Sequence, residues 1–272
     1  LRKQNRIKTI QSSLAIENNS LSIEQVTDVI EGKRVFGAPN EIKEVKNAID
    51  AYNLLFELNP YNEKDLLKAH KLMTSELVSE SGIYRKGGVG VFKEDKCLHL
   101  APPADRVPTL IKELLQWVET TTTHPLISSC VFHYEFVFIH PFSDGNGRMA
   151  RLWHSAFLTK WNPIFEYIPI ESQIEKFQDE YYDAIAKCHT EGSSNTFILF
   201  MLEQIDKILD EITVQLSASC ENLSEYVKKL LDVMDYDIPY TLASLMELLG
   251  LKSKETIRRH YIHPALELSL IQ

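Results

Sequence analysis

The stretch His140-Pro141-Phe142-Ser143-Asp144-Gly145-Asn146-Gly147-Arg148-Met149-Ala150-Arg151 decides the reading of this chain. It joins an apolar segment, Val131-Phe132 to Phe138-Ile139, to a helix-like one from Met149 to Lys160, so it reads as a tight loop feeding a helix N-terminus. Such a terminus presents unpaired N–H groups and partial positive charge, which attract anions. Gly145 and Gly147 permit φ > 0 and a close approach of backbone to phosphate. Arg148 and Arg151 stand on one helix face, where two guanidinium groups can grip adjacent phosphates. Asp144 is a candidate Mg²⁺ ligand, since that ion takes one or two carboxylates and keeps phosphate oxygens and water for the rest. His140, with an ordinary pKa near ~6.5, has a neutral fraction at pH 7 that can accept a proton. Arginines and a metal nearby would lower that pKa and enlarge the fraction. Asn146 either holds the loop or donates to a phosphate oxygen. Taken singly, an Asp-Gly-Asn-Gly run is usually only a turn; the conjunction suits phosphate chemistry on a nucleotide.

The run resembles the signature of Fic-domain proteins, His-x-Phe-x-(Asp/Glu)-Gly-Asn-Gly-Arg-x-x-Arg, and matches it at every specified position. His133-Tyr134-Glu135-Phe136 looks like the family's lead-in helix. The resemblance implies a mainly α chain: a Fic-type helical domain with a small β-hairpin flap. It implies an enzyme, a protein adenylyltransferase that moves AMP from ATP to a Ser, Thr or Tyr hydroxyl of a target protein. His140 would be the general base, Asp144 the Mg²⁺ ligand, and Gly145, Asn146 and Gly147 the phosphate-binding loop. Arg148 and Arg151 would hold the β- and γ-phosphates, with Phe142 as a core anchor. Relatives of the Doc toxin type, which phosphorylate their targets, carry lysine where this chain keeps Gly147. That favours an ATP pose with the α-phosphorus facing the nucleophile and pyrophosphate leaving.

Ser13-Leu14-Ala15-Ile16-Glu17-Asn18 resembles the family's inhibitory motif, (Ser/Thr)-x-x-x-Glu-(Gly/Asn), here upstream of the catalytic region. A carboxylate delivered to the second motif arginine occupies the group meant for the γ-phosphate. Ser13 and Glu17 are therefore expected to be inhibitory, with Glu17 paired to Arg151. The same Glu17 could instead orient water to remove AMP from a modified target. A nucleotide-sensing, DNA-binding regulator is the alternative from another class.

Composition sets outer bounds. The 272 residues suffice for a sizeable core and two domains. A net charge of −9 argues against a nonspecific nucleic-acid binder. Cys97, Cys130, Cys188 and Cys220 form no C-x-x-C pair and read as reduced thiols, which suits a cytoplasmic protein. No apolar run approaches the ~20 residues of a membrane span, and no membrane partner is expected. The chain opens on Leu1 rather than Met, which leaves room for a preceding segment.

Periodicity organises the rest. Residues 1–60 read as an N-terminal helical segment holding the inhibitory helix, with a capping box at Ser22 and Gln25. Residues 61–212 read as the catalytic domain. Within it 62–78 is expected to be a helix. Gly82 to Leu100 is glycine-rich and β-prone, with a polar turn at Lys93-Glu94-Asp95-Lys96. By family likeness this 86–100 hairpin is a flap that docks the target protein through its strand edge, with Val89, Gly90, Val91 and Phe92 lining the nucleotide side. Tyr181-Tyr182 resembles a pair of tyrosines bordering the adenine site, which makes Tyr182 a nucleotide contact; relatives have asparagine where His189 stands. Residues 213–272 resemble a winged-helix-like tail: helix–turn–helix spacing over Leu242–Tyr261, basic residues Lys252, Lys254, Arg258 and Arg259, and a wing over Ile262–Ile271. DNA binding by this tail and a protein-contact role, including a homodimer, are both open.

Overall fold

A computed structural model describes residues 2–93, 96–221, 223–235, 238–268 and 270–271, with backbone alone at 2, 91–93, 96–98 and 215–221. The side chains of Val91, Phe92, Cys97 and Cys220, named above, lie outside the described residues. The chain divides into two compact units, 1–209 and 210–272.

The first unit contains α1 (Arg2–Ala15), α2 (Ile23–Ile30), α3 (Pro39–Asn53), α4 (Glu63–Met73), β1 (Gly90–Lys93), β2 (Lys96–Leu100), α5 (Val107–Thr120), α6 (Pro125–Ile139), α7 (Asn146–Trp161), α8 (Ile170–Lys176) and α9 (Gln178–Glu191); α10 (Asn195–Glu221) follows. Local chemistry sets many of these limits. Ser22 and Gln25 form the expected capping box at the start of α2. Proline occupies the first turn of α3, α5 and α6, where its missing N–H costs nothing. The helix expected over 62–78 stops at Met73. The Thr74 hydroxyl donates to the His70 carbonyl (2.8 Å), and Glu76 takes a positive φ of 60° that no helix continues through.

The core is organised around α6 and α7, which pack extensively on each other. Helix α7 is buried along nearly its whole length. Ile7, Ile10 and Leu14 of α1 and Val45, Ala48 and Tyr52 of α3 share one apolar cluster with Leu66, Phe136, Phe142 and Trp153. The N-terminal helices are thus part of the body that carries the glycine loop. Strands β1 and β2 pair antiparallel (Gly90↔Leu100, Val91↔His99, Phe92↔Cys97, Lys93↔Lys96) with an irregularity between Val91 and Phe92. This is the hairpin expected from the sequence.

In the second unit α11 (Glu225–Asp232), α12 (Leu242–Leu248) and α13 (Lys254–Thr256) are followed by a π-helical turn (Ile257–Ile262) and α14 (His263–Glu267). Val227, Leu230, Leu245, Ile257, Tyr261 and Ala265 form its core. The helix–turn–helix spacing holds, with Gly250 at φ 65° between α12 and α13. The wing expected over 262–271 is a correction: its described residues continue the helix and then turn. Pro264 has no N–H for an i→i−4 bond, and the π turn just before it absorbs that defect. Among the described residues no helix is long and apolar enough to cross a membrane.

Candidate active site

The loop between α6 and α7 is built by its own side chains. Asn146 accepts from the Phe142 N–H through Oδ1 and donates to the Phe142 carbonyl through Nδ2, both at 2.9 Å. Its buried side chain therefore holds the loop, so a contact from Asn146 to a phosphate falls to its backbone. Phe142 is fully buried and stacks on the His70 ring at 3.6 Å. The Gly82 N–H donates to His70 Nδ1 (2.9 Å), which places the His70 proton on Nε2, where it donates to the Asp144 carbonyl at 3.0 Å. Burial pushes the His70 pKa down to about 4, so the ring stays neutral in that role.

Gly145 caps α7 at φ 81°, and a Cβ there would meet Thr74 Cγ2 at 2.9 Å. The first return bond of the helix runs from the Met149 N–H to the Gly145 carbonyl (2.9 Å). The N–H groups of Asn146, Gly147 and Arg148 are thus the open donors of the helix end. The sequence reading expects an anion at these donors.

His140 caps α6 in a left-handed conformation, φ 51° and ψ 61°. Its Nδ1 faces the Val137 carbonyl at 3.4 Å, which assigns the proton to Nδ1 and leaves Nε2 unprotonated. Burial lowers its pKa, and the charges of His99 and Arg85 act in the same direction. The Val137 carbonyl and Glu17 oppose them. The lowering expected from nearby positive charge is therefore present with burial as its main cause.

Glu17 pairs with Arg151, as expected: Arg151 Nη2 donates to Glu17 Oε1 at 2.6 Å. Arg151 is fully buried, and also donates to Ser13 Oγ (3.1 Å, from Nε) and to the Ser13 carbonyl (2.9 Å, from Nη2). Burial works against its charge, but Glu17, Tyr181 and Tyr52 more than compensate and hold its pKa above the ordinary arginine value. A Cβ built on Gly147 would overlap Glu17 Oε1, so the glycine is what lets this carboxylate reach the helix end. Asn18, at φ 66°, supplies the left-handed residue that ends α1 and turns Glu17 toward the arginine. That explains why asparagine or glycine follows the glutamate in the motif.

Arg148 donates to Glu44 Oε1 (3.3 Å) and Asp144 Oδ2 (3.2 Å). The other Glu44 oxygen accepts from Asn19 Nδ2 at 2.7 Å. Arg148 Nε and Arg151 Nη1 are buried with no hydrogen-bond partner among the described residues. Tyr182, half exposed, donates to the Ile16 carbonyl at 3.4 Å beside Gln178 Nε2 at 2.9 Å, so it holds the segment that carries Glu17. Gly90 lies in β1 directly after Val89, and the Val89 carbonyl accepts from the Ala101 N–H (3.2 Å). His189 Nδ1 and the Tyr134 hydroxyl share a hydrogen bond (3.1 Å), and the His189 ring stacks on His99 at 4.3 Å.

Asp144 is the one acidic side chain that the loop itself offers a metal. It is half exposed, with Oδ1 on the Gly145 N–H (2.6 Å) and Oδ2 on Arg148. No group of three or more metal-ligating side chains occurs among the described residues. A lone accessible carboxylate fits Mg²⁺ completed by phosphate oxygens and water, and does not fit an all-protein site.

The Fic/DOC family model matches residues 60–158, and the model of the Fic-like C-terminal domain matches 225–272. A crystal structure of a Fic family protein from Desulfovibrio desulfuricans G20 is 46% identical, with a TM-score of 0.77, over 98% of this chain and 81% of that one. The chain belongs to the Fic family. Fic-1 from C. elegans shares the fold at 22% identity, with a TM-score of 0.63 over 78% of this chain and 64% of that one. The protein adenylyltransferase Fic of Culex quinquefasciatus is 28% identical over 219 residues, which are 76% of this chain and 42% of the relative. The chain thus spans less than half the length of that curated relative.

The Fic signature of the sequence left four contributors unread. Arg85, His70, Glu44 and Gln178 hold the signature loop or the segment that carries Glu17, and each looks in sequence like an ordinary helix or hairpin residue. Only His70 had a signal, as a histidine on the buried stripe of α4.

Proposed function

We propose that this chain transfers AMP from ATP to a hydroxyl side chain of a target protein, and that Glu17 restrains it. The observation that carries this reading is the Glu17 carboxylate on Arg151 above Gly147. An anion already lies at the helix end where the loop would seat phosphates. With Glu17 withdrawn, the open N–H groups of residues 146–148, Arg151 and its unmet Nη1 become donors for the β- and γ-phosphates. Arg148 would join them by exchanging its carboxylate partners for phosphate.

In the reaction His140 Nε2 takes the proton of the target hydroxyl, the hydroxyl oxygen bonds to the α-phosphorus, and the bond from that phosphorus to the bridging oxygen breaks. Pyrophosphate leaves, carrying the electron pair. General-base assistance of this kind is worth ~10²–10⁴-fold; positioning by the helix end and the arginines adds to it. Asp144 would hold Mg²⁺, which supplies charge neutralisation on the phosphates. The hairpin of residues 86–100 would present the target, with Val89 to Phe92 beside the nucleotide, and Tyr182 would border the base once the Glu17 segment moves. A cytoplasmic site of action suits the free, buried Cys130 and Cys188.

The test compares ATP labelled at the α- or the γ-phosphate, with the Glu17→Gly variant and a host lysate. Adenylyl transfer incorporates only the α-label. Incorporation of the γ-label in its place would mean phosphoryl transfer and overturn the reading, and release of AMP from an adenylylated protein would favour the reverse reaction.

A further inference from the structure

Arg85 is a buried charge that the reaction above does not use. It is 3% exposed, and its guanidinium is held by main-chain carbonyls. Nε donates to His140 O (2.7 Å), Nη1 to Gly87 O (2.8 Å), and Nη2 to Pro102 O (2.6 Å) and Ile139 O (3.2 Å). The Arg85 N–H adds a bond to the Pro141 carbonyl at 3.0 Å. Burying a guanidinium is costly, and here carbonyl dipoles offset the cost. Two of them belong to the C-terminal end of α6, the negative end of the helix dipole.

The partners fall into two groups. Gly87 and Pro102 are the two feet of the hairpin, a few residues before β1 and after β2. Ile139, His140 and Pro141 are the segment that carries the base. His140 sits at positive φ without being glycine, a conformation that persists only where its surroundings over-determine it. Arg85 bonds the carbonyls on both sides of that Cα. One side chain therefore spans the place where a target would be presented and the place where its proton would be taken. A lysine, with donors on a single nitrogen, cannot meet four divergent carbonyls.

We propose that Arg85 is the positioning residue of the general base: it fixes His140 in its left-handed conformation and locks it in register with both feet of the hairpin. The proposal rests on the reading of His140 as the base of adenylyl transfer and adds the element that aligns the hydroxyl with it. Charged and titratable groups facing the His140 ring are Arg85 itself, His99 from β2 and Glu17 from the segment after α1. Of these, Arg85 is the permanent cation.

The test uses Arg85→Lys and Arg85→Gln in the full chain. Titration of the His140 ring by NMR and amide exchange over residues 86–102 are followed in both. Steady-state self-labelling from α-labelled ATP is followed in the Glu17→Gly background. Arg85→Lys keeps the charge, so the His140 midpoint stays near that of the unsubstituted chain. Exchange at the hairpin feet then rises at least tenfold, and kcat falls about 100-fold with little change in KM for ATP, the scale set by an ångström of misplacement. Arg85→Gln removes the charge and raises the His140 midpoint. Unchanged exchange and unchanged kcat in Arg85→Lys, or an unchanged midpoint in a folded Arg85→Gln, overturns the proposal. If Arg85→Gln does not fold, Arg85→Lys decides alone. Titration and exchange need no turnover, so they stand or fall separately from the adenylyl-transfer reading.

Discussion

On the proposed reading Arg151 has two uses for one set of donors, and the balance between them is set by residues only a few ångströms away. Glu17 holds Nη2 at 2.6 Å and Ser13 holds Nε, while Nη1 stays buried and unmet. Gly147 belongs to this balance as much as to phosphate binding, because any Cβ there meets the Glu17 carboxylate. Gly147→Ala is therefore expected to weaken the restraint, so that adding Glu17→Gly on top gains less than it does in the unsubstituted chain. A double-mutant cycle on labelling rates checks this, and full additivity would contradict it. Gly145→Ala meets Thr74 and a φ of 81°, and is expected to cost about 1 kcal/mol or more of stability, read as a lower midpoint in urea. The His140 ring, lowered chiefly by burial, predicts a pH–rate profile whose rising limb lies below ~6.5, the ordinary histidine value. A limb centred above that value would argue against a buried neutral base.

At the scale of elements, chemistry written into single positions was legible wherever a residue type has few structural options. The capping box of α2, the glycine nest before α7 and the asparagine ending α1 could be read directly, because positive φ and helix caps admit few residues. The Glu17–Arg151 pairing was legible because the long motif at 140–151 supplied a partner for the short one at Ser13–Asn18. What could not be read were contacts to main-chain carbonyls. Arg85 to His140 O and Gln178 to Ile16 O leave no trace in side-chain pattern. The length of α4 and the absent wing were misread because propensity extends an element until a cap or a proline intervenes, and Thr74 and Pro264 are weak signals in sequence. The left-handed Asn18 yields an element-scale prediction. Asn18→Ala places a Cβ-bearing residue without a local hydrogen-bonding side chain at φ 66°, which frays the end of α1 and releases Glu17. Labelling is expected to rise toward that of Glu17→Gly, while Asn18→Gly leaves it unchanged; no difference between the two would remove the cap from the account.

Across the whole molecule, the chain divides at 209/210, and α1 to α3, read from the sequence as a segment of their own, share the core of the first unit because their apolar stripes pack on α4, α6 and α7. The restraint proposed for the site rests on where α1 ends, which brings Glu17 to Arg151. Burial also sets an acid limit on the fold. His70 and His154 have pKa values pushed down to about 4, each chiefly by burial. Between that value and the unfolded value near ~6.5, the unfolded chain binds more protons than the folded one. Their contribution to stability is therefore complete above pH ~6.5 and is lost as the pH falls through about 4. Thermal midpoints are expected to decline from pH 7 to pH 5, and a flat profile would contradict the neutral, buried state of these rings.

The central claim, an adenylyl-transfer site held shut by its own N-terminal glutamate, meets its most direct test in one measurement. Label incorporation from α-labelled ATP is followed for the unsubstituted chain, for Glu17→Gly and for Glu17→Gly combined with His140→Ala, with folding verified for each. The account predicts at least a tenfold rise on releasing Glu17, abolished when His140 is also removed. Equal incorporation by the unsubstituted and Glu17→Gly chains, or undiminished incorporation without His140, would contradict it.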